Sequence, residues 1–152
     1  MSNHGLIVAL AILVVALVPL PVAADFPGVE NTNRARVNYM LSCQGCHGPD
    51  GSGTVDGEVP EMNSFLGKFL TVEGGREFLI QVPGSANAAL TDAQLAEVIN
   101  WLLPTISAAE MPADFTPYTA EEVQNLRLQP LQDVVNTRAE LIQRMGLPPQ
   151  EH

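Results

Sequence analysis

The chain has 152 residues and a mass of 16.3 kDa, which suits one compact domain and leaves little room for two. Seven Lys and Arg residues against 17 Asp and Glu give a net charge of −10, so a nucleic-acid-binding face, which needs clustered cations, is not expected. A 46% hydrophobic and 16% charged composition excludes a disordered chain, and two cysteines exclude a disulfide-rich scaffold.

Residues 1–24 have the pattern of a secretory signal. An apolar run from Leu6 to Val18 is broken by Pro19, and the small side chains at 22–24 suit cleavage after Ala24. The run before Pro19 makes about 20 Å of helix, short of a hydrocarbon core of about 30 Å, so cleavage is favoured over an uncleaved membrane anchor. The sequence predicts an exported, periplasmic protein with no stable membrane insertion after cleavage, in an oxidising compartment.

The first half of the mature chain predicts short helices separated by long loops. Asn33 is expected to cap a helix over 34–41. Residues 48–57 are rich in glycine and are predicted to form a loop. A short helical stretch follows at 65–70, and a helix over 76–82 ends before Pro83. The expected buried face of the first helix consists of Val37, Met40 and Leu41.

Two capping boxes begin helices in the second half. The first, at 91–94, precedes a helix that Pro104 is expected to close, and the second, at 119–122, precedes a helix that ends before Pro130. The inward residues of these two helices are Leu95, Val98, Ile99, Leu102, Val123 and Leu126. A last amphipathic segment carries Leu131, Val134, Val135, Leu141, Ile142 and Met145.

The predicted fold class is therefore all-α with long loops, since no run alternates long enough to predict a strand. We divide the chain into a signal (1–24), a helical domain (25–128) and a C-terminal helical extension (129–152). The extension is expected either to pack on the domain or to dock on a partner protein. So small a domain has a thin core that a large apolar group would help to fill.

The chemistry lies in residues 43–47, where Cys43, Cys46 and His47 form a C-x-x-C-H motif. Cysteines three apart on a helical turn face the same way, so both sulfurs can form thioethers with the two vinyl groups of one haem. The adjacent histidine can then bind the iron. A thioredoxin-type disulfide lacks its βαβ context, and a zinc site lacks nearby ligands. The motif predicts one covalently attached haem c.

The C-x-x-C-H-G sequence, the glycine-rich loop and the later amphipathic helix with Trp101 near its end resemble a class I c-type cytochrome over about 33–103, and more loosely over 104–128. The resemblance implies a cytochrome c-like helical domain wrapped around one covalent haem. In the family, a loop proline carbonyl accepts the N–H of the haem-ligating histidine. Pro60 would take this role for His47, unless it is an ordinary loop proline.

The family usually supplies a methionine sulfur as the sixth iron ligand. Met111 is the first candidate, because Met111-Pro112 followed by a capped helix is similar to the family's ligand loop. The loop at 83–90, where that ligand is expected if the helix over 91–103 is the family's last helix, contains no methionine. Met62 is a second candidate, and an iron without a methionine ligand is the third.

An iron with two protein ligands passes electrons one at a time and cannot hold a substrate. We therefore expect not an enzyme but a periplasmic electron carrier, or a cytochrome subunit that accepts electrons from a dehydrogenase and passes them to a terminal oxidase or another cytochrome. The alternative is a five-coordinate haem enzyme or a sensor of peroxide or gas. The acidic charge favours a basic or apolar docking face on the partner, or serves solubility alone.

Overall fold

The computed structural model describes residues 26–148, in which every regular element is a helix and no strand occurs. The predicted signal, residues 1–24, lies outside the described residues. The α-helices are α1 (Thr32–Ser42), α2 (Gln44–His47), α3 (Gly75–Gln81), α4 (Pro83–Ala86), α5 (Asp92–Ile106), α6 (Ala120–Arg127) and α7 (Val134–Arg144). Short 3-10 segments occupy Leu66–Thr71 and Ala108–Glu110. The all-α prediction is confirmed.

Helix α5 lies at the centre and packs against α1 and α6. The Thr91 hydroxyl accepts from the Gln94 N–H at 3.2 Å and the Gln94 amide oxygen accepts from the Thr91 N–H at 2.9 Å, so the predicted capping box is formed. The predicted apolar stripe of α5 is buried. The predicted end at Pro104 is wrong, because the helix continues to Ile106. Proline removes only one helical hydrogen bond, and the bond from the Ser107 N–H to the Leu103 carbonyl closes the next turn.

Helix α1 differs from its prediction in both cap and buried face. The Asn31 side chain, not Asn33, accepts from the Arg34 N–H at 2.9 Å and begins the helix. Ala35 and Tyr39 are the residues that α1 buries. The face that was expected to be buried is instead exposed to solvent: Val37 is 49%, Met40 48% and Leu41 80% exposed.

A buried carboxylate joins the start of α1 to the middle of α5. Glu97 is 4% exposed and accepts from the backbone N–H groups of Glu30 and Asn31 at 3.1 and 2.9 Å. Two nitrogens of the Arg34 guanidinium donate to the same carboxylate at 2.7 and 2.8 Å. Burial alone would raise the pKa of Glu97, but these hydrogen bonds outweigh it and hold the pKa below its ordinary value.

Helices α3 and α6 are joined by a second ion pair. Arg76 donates to both carboxylate oxygens of Glu122, at 2.6 and 2.8 Å. The Thr119 hydroxyl accepts from the Glu122 N–H as expected, while the Glu122 carboxylate binds Arg76. Val123 is fully buried and Leu126 partly so, as the sequence predicts.

Helix α7 of the extension packs on the rest of the domain. Leu141 and Ile142 are each 2% exposed within the main core, and the Leu131 N–H donates to the Gln81 carbonyl at 3.0 Å. Val135, expected on the inward stripe, is 65% exposed. Across residues 26–148, no helix has both the length and the apolar character that crossing a membrane requires.

Candidate haem-binding site

The helices enclose a cavity of about 440 Å³ that the C-x-x-C-H turn lines on one side. Its lining is largely apolar and is drawn from the α1–α2 junction, the 58–62 loop, the first 3-10 segment, α3, α4, α5 and α7. Prominent apolar members are Phe65, Leu66, Phe69, Phe78, Leu79, Val82, Leu95, Val98, Ile99, Leu102 and Val134. Such a lining suits an apolar cofactor rather than a hydrated ion.

The motif residues are brought together by the α1–α2 junction. The N–H groups of Cys46 and His47 both donate to the Cys43 carbonyl, at 3.2 and 3.0 Å, so the three side chains belong to one turn. The Tyr39 hydroxyl donates to the Gly48 carbonyl at 2.7 Å and holds the far end of that turn. Cys43 and Cys46 are not joined in a disulfide, so both sulfurs are available for thioethers.

The electrostatics of the turn suit iron ligation. Burial lowers the pKa of His47, which keeps the imidazole neutral with a lone pair available to a metal. Burial, and after it the neighbouring Cys46, raises the pKa of the Cys43 thiol. Nδ1 of His47 is buried and makes no hydrogen bond.

The 51–62 loop folds back on the C-x-x-C-H turn. The Gly53 N–H donates to the His47 carbonyl at 3.1 Å, and the Met62 N–H donates to the Gly51 carbonyl at 2.7 Å. Gly53 has a φ of +71°, and a Cβ there would collide with the Val59 carbonyl oxygen, so glycine is required for this approach.

Pro60 lines the cavity together with His47, as the resemblance implies. The hydrogen bond predicted between the Pro60 carbonyl and the imidazole is not formed, because Nδ1 of His47 has no partner. The structure therefore places Pro60 near its expected position without its expected contact.

Met111, expected as the sixth ligand, does not line the cavity. It follows the second 3-10 segment, where its backbone lies against Gly67, so close that a Cβ on Gly67 would be 2.9 Å from the Met111 nitrogen. The Gly67 N–H also donates to the Ser107 hydroxyl at 2.9 Å and fixes this contact. Met62, in contrast, lines the cavity, and the choice between Met111 and Met62 as the sixth ligand stays a prediction.

Arg127 holds one wall of the cavity, and the sequence analysis missed it. The wall at 82–88 consists largely of small residues that bury little of their own surface. The Arg127 guanidinium donates to the carbonyls of Ala86, Leu90 and Ala88 at 2.9, 2.9 and 2.7 Å, and to Asp92 at 2.9 Å. No local pattern indicates these contacts, because Arg127 is more than 30 positions away in the sequence.

Arg138 of α7 is a second residue that the sequence analysis missed. It is 7% exposed and lines the cavity, and its guanidinium carbon lies 5.5 Å from the centroid of the Phe65 ring. It falls on the same helix as the predicted apolar stripe, so periodicity gave no reason to place a charged residue inward.

The residues present fit haem c. Two unlinked cysteines and a half-buried histidine, whose imidazole burial keeps neutral, share one turn at the edge of a large apolar cavity. The fold and the site thus define a small helical protein built to hold a covalent haem.

Comparisons with known proteins agree with this class. Cytochrome c-552 of Thermus thermophilus is 34% identical over 119 residues, which cover 65% of this chain and 90% of the relative. The cytochrome c-552 of one particular strain of the same species is also 34% identical over 119 residues, with 65% of this chain and 80% of that relative covered. No family model matches the chain, and no solved structure matches it. The chain belongs to the c-type cytochromes and is a haem-c electron carrier.

Proposed function

We propose that the protein is an exported, periplasmic one-electron carrier, or the cytochrome subunit that accepts electrons from a dehydrogenase. Cys43 and Cys46 would hold the haem through thioethers, and His47 would bind its iron. The signal would comprise residues 1–24, the cytochrome domain 25–128 and the extension 129–152. The observation that carries the proposal is the placement of both thiols and the imidazole on one turn facing an apolar cavity.

Bound haem iron supplies one-electron redox chemistry, and the chain's own residues keep its surroundings fixed. Tyr39 is 2% exposed, and its ring centroid lies 5.8 Å from that of Trp101 on α5, so the motif turn is anchored to the central helix. The Glu97–Arg34 contact anchors the other end of α1 to the same helix. Such a frame limits reorganisation between ferric and ferrous states, which is what an electron carrier requires.

The rim of the cavity offers a route for electrons. Leu41 lines the cavity and is 80% exposed, and Cys46 is also exposed, so this edge meets solvent. A redox partner that approaches here would come within reach of a haem edge. With a net charge of −10, the chain favours partners with a basic or apolar docking face, such as a dehydrogenase donor and a terminal oxidase or cytochrome acceptor.

One observation favours a second candidate, a five-coordinate haem protein that binds peroxide or a small gas. Met62 is the only methionine among the described residues lining the cavity. It lies in the loop that folds back on the His47 turn, while the wall at 82–88 carries neither sulfur nor imidazole. A haem held by His47 would then have an open iron position.

The optical spectrum of the haem-loaded ferric protein separates the two candidates. The carrier is expected to show the weak long-wavelength band of a methionine–iron bond and slow carbon monoxide binding in the ferrous form. High-spin ferric features with rapid carbon monoxide binding would reject the carrier and support the second candidate.

Two matched variants then assign the ligand. As the family resemblance implies, we expect Met111→Leu to abolish the long-wavelength band and Met62→Leu to leave it intact. Loss of the band in Met62→Leu alone would remove Met111 from the site and assign Met62 as the ligand.

A further inference from the structure

Helix α1 presents an apolar surface to solvent that leads to the mouth of the cavity. Val37, Met40 and Leu41 form this outer face of α1, and Leu41 also lines the cavity. Ala35 and Tyr39, which α1 buries, lie on the other side of the helix. The helix therefore packs on the domain through one side and leaves three large apolar side chains exposed on the other.

The charge around the outer face of α1 is uneven. Glu58 and Glu61 are exposed carboxylates that line the cavity, and they belong to a stretch, residues 37–67, that contains no lysine or arginine. Arg36 is an exposed cation one turn before Met40, on the side of the face away from Leu41 along the helix. The mouth of the cavity is thus acidic, and the nearest cation on α1 stands at the far end of the face.

This combination of apolar surface and one-sided charge suits a second protein. Burying exposed apolar side chains supplies affinity, and opposite charges steer the partner and fix its orientation. A second copy of this chain suits the face poorly, because both copies would carry the same acidic mouth and a net charge of −10. The occupant that the charge favours is a protein with cations on part of its contact face.

We propose that the outer face of α1 and the adjoining mouth of the cavity form the docking surface for a redox protein of defined character. The contact face of that partner is apolar, with lysines or arginines on the side that meets Glu58 and Glu61. Val37 and Met40 contribute affinity without lining the cavity, and the two carboxylates orient the partner. The inference rests on the proposed electron-carrier function and adds the surface through which that function is exercised.

The test uses a gold surface coated with a mixed monolayer of methyl-terminated and ammonium-terminated thiols, which imitates such a contact face. Surface plasmon resonance gives the concentration of haem-loaded full chain that half-saturates the monolayer. We expect the double variant Val37→Thr/Met40→Gln to raise that concentration about tenfold, because both side chains lose apolar contact area.

The matched control is the double variant Leu128→Gln/Val135→Thr. Its two residues are 76% and 65% exposed and do not line the cavity, so it removes comparable apolar surface elsewhere. It should change the half-saturating concentration less than about twofold.

A second pair of variants tests the orienting charges. Glu58→Gln/Glu61→Gln should weaken the dependence of binding on salt concentration. Glu121→Gln/Glu140→Gln removes two exposed carboxylates that do not line the cavity, and it should leave the salt dependence unchanged.

Equal half-saturating concentrations for the two apolar variants, or equal salt dependence for the two charge variants, would overturn the proposal. It would also be overturned by a wild-type dimer, seen in sedimentation velocity, that dissociates in Val37→Thr/Met40→Gln, because a second copy would then cover the face. A wild type that binds the monolayer but does not exchange electrons with ferrocenemethanol, a small neutral mediator, would reject the proposed carrier function instead.

Discussion

The Glu97 carboxylate holds the start of α1 against the middle of α5, although these two parts of the chain are far apart in the sequence. It accepts four hydrogen bonds, two from backbone N–H groups and two from Arg34. Replacing it by glutamine keeps the size, removes the charge and turns an NH₂ group toward donors. We expect Glu97→Gln to destabilise the protein.

The size of the effect follows from burial. Each charge-assisted bond is worth about 1.5–3 kcal/mol, and breaking a fully buried pair costs about 3–5 kcal/mol. Glu97 is almost fully buried, but the Arg34 side chain is 46% exposed and recovers part of its hydration. We therefore expect a loss of about 3 kcal/mol in the free energy of unfolding at neutral pH, which lowers the Tm by roughly 12 °C for a domain of this size.

The loss of stability caused by Glu97→Gln should depend on pH. The folded-state pKa of Glu97 lies below its ordinary value of 4.5, so the ionised carboxylate stabilises the protein above that pH. The stabilisation is lost as the pH falls through the lower folded-state pKa. The difference in the free energy of unfolding between wild type and Glu97→Gln should therefore become smaller as the pH falls below 4.5.

Urea unfolding followed by far-UV circular dichroism, at about pH 7 and about pH 3.5, measures both effects. Glu140→Gln is the control, because Glu140 pairs with Arg144 on the surface and is 66% exposed; its loss should be under about 0.5 kcal/mol. A Glu97→Gln loss below about 1 kcal/mol, or one that does not change with pH, would refute the reasoning.

Two further variants test the loop and the wall of the cavity. Gly53→Ala should lower the free energy of unfolding by at least about 2 kcal/mol, and Gly57→Ala by about 1 kcal/mol. Both glycines have a positive φ, but only at Gly53 would an added Cβ collide with backbone atoms. Equal losses in thermal melts would contradict that steric argument. Arg127→Met should speed amide hydrogen exchange of residues 86–91 at least about tenfold, because the guanidinium holds the carbonyls of this segment. Arg144→Met is the control. Unchanged exchange of residues 86–91 in Arg127→Met would show that Arg127 does not hold the wall of the cavity.

Where a pattern is local, the sequence predicts this fold well. The capping box at Thr91 and the stripe over Leu95–Leu102 act within one helix, and both are present in the structure. The C-x-x-C-H turn is equally local, since its chemistry follows from spacing along one turn. These features need no knowledge of what lies opposite them.

The sequence does not predict which side chains are buried where the residues that pack around them come from distant parts of the chain. Met40 and Leu41 are apolar and helically spaced, yet α1 packs through Tyr39 and leaves them exposed. Arg138 has no signature in the sequence, because a buried arginine and a surface arginine look alike until the facing residues are known.

The last helix of the described chain closes a cavity whose cysteines lie far upstream. Synthesis runs from the amino end, so the pentapeptide at 43–47 emerges well before α7, which carries Arg138. Whatever joins porphyrin to the two sulfurs therefore encounters an incomplete, open-sided pocket at first, and the final helix can settle over the macrocycle afterwards.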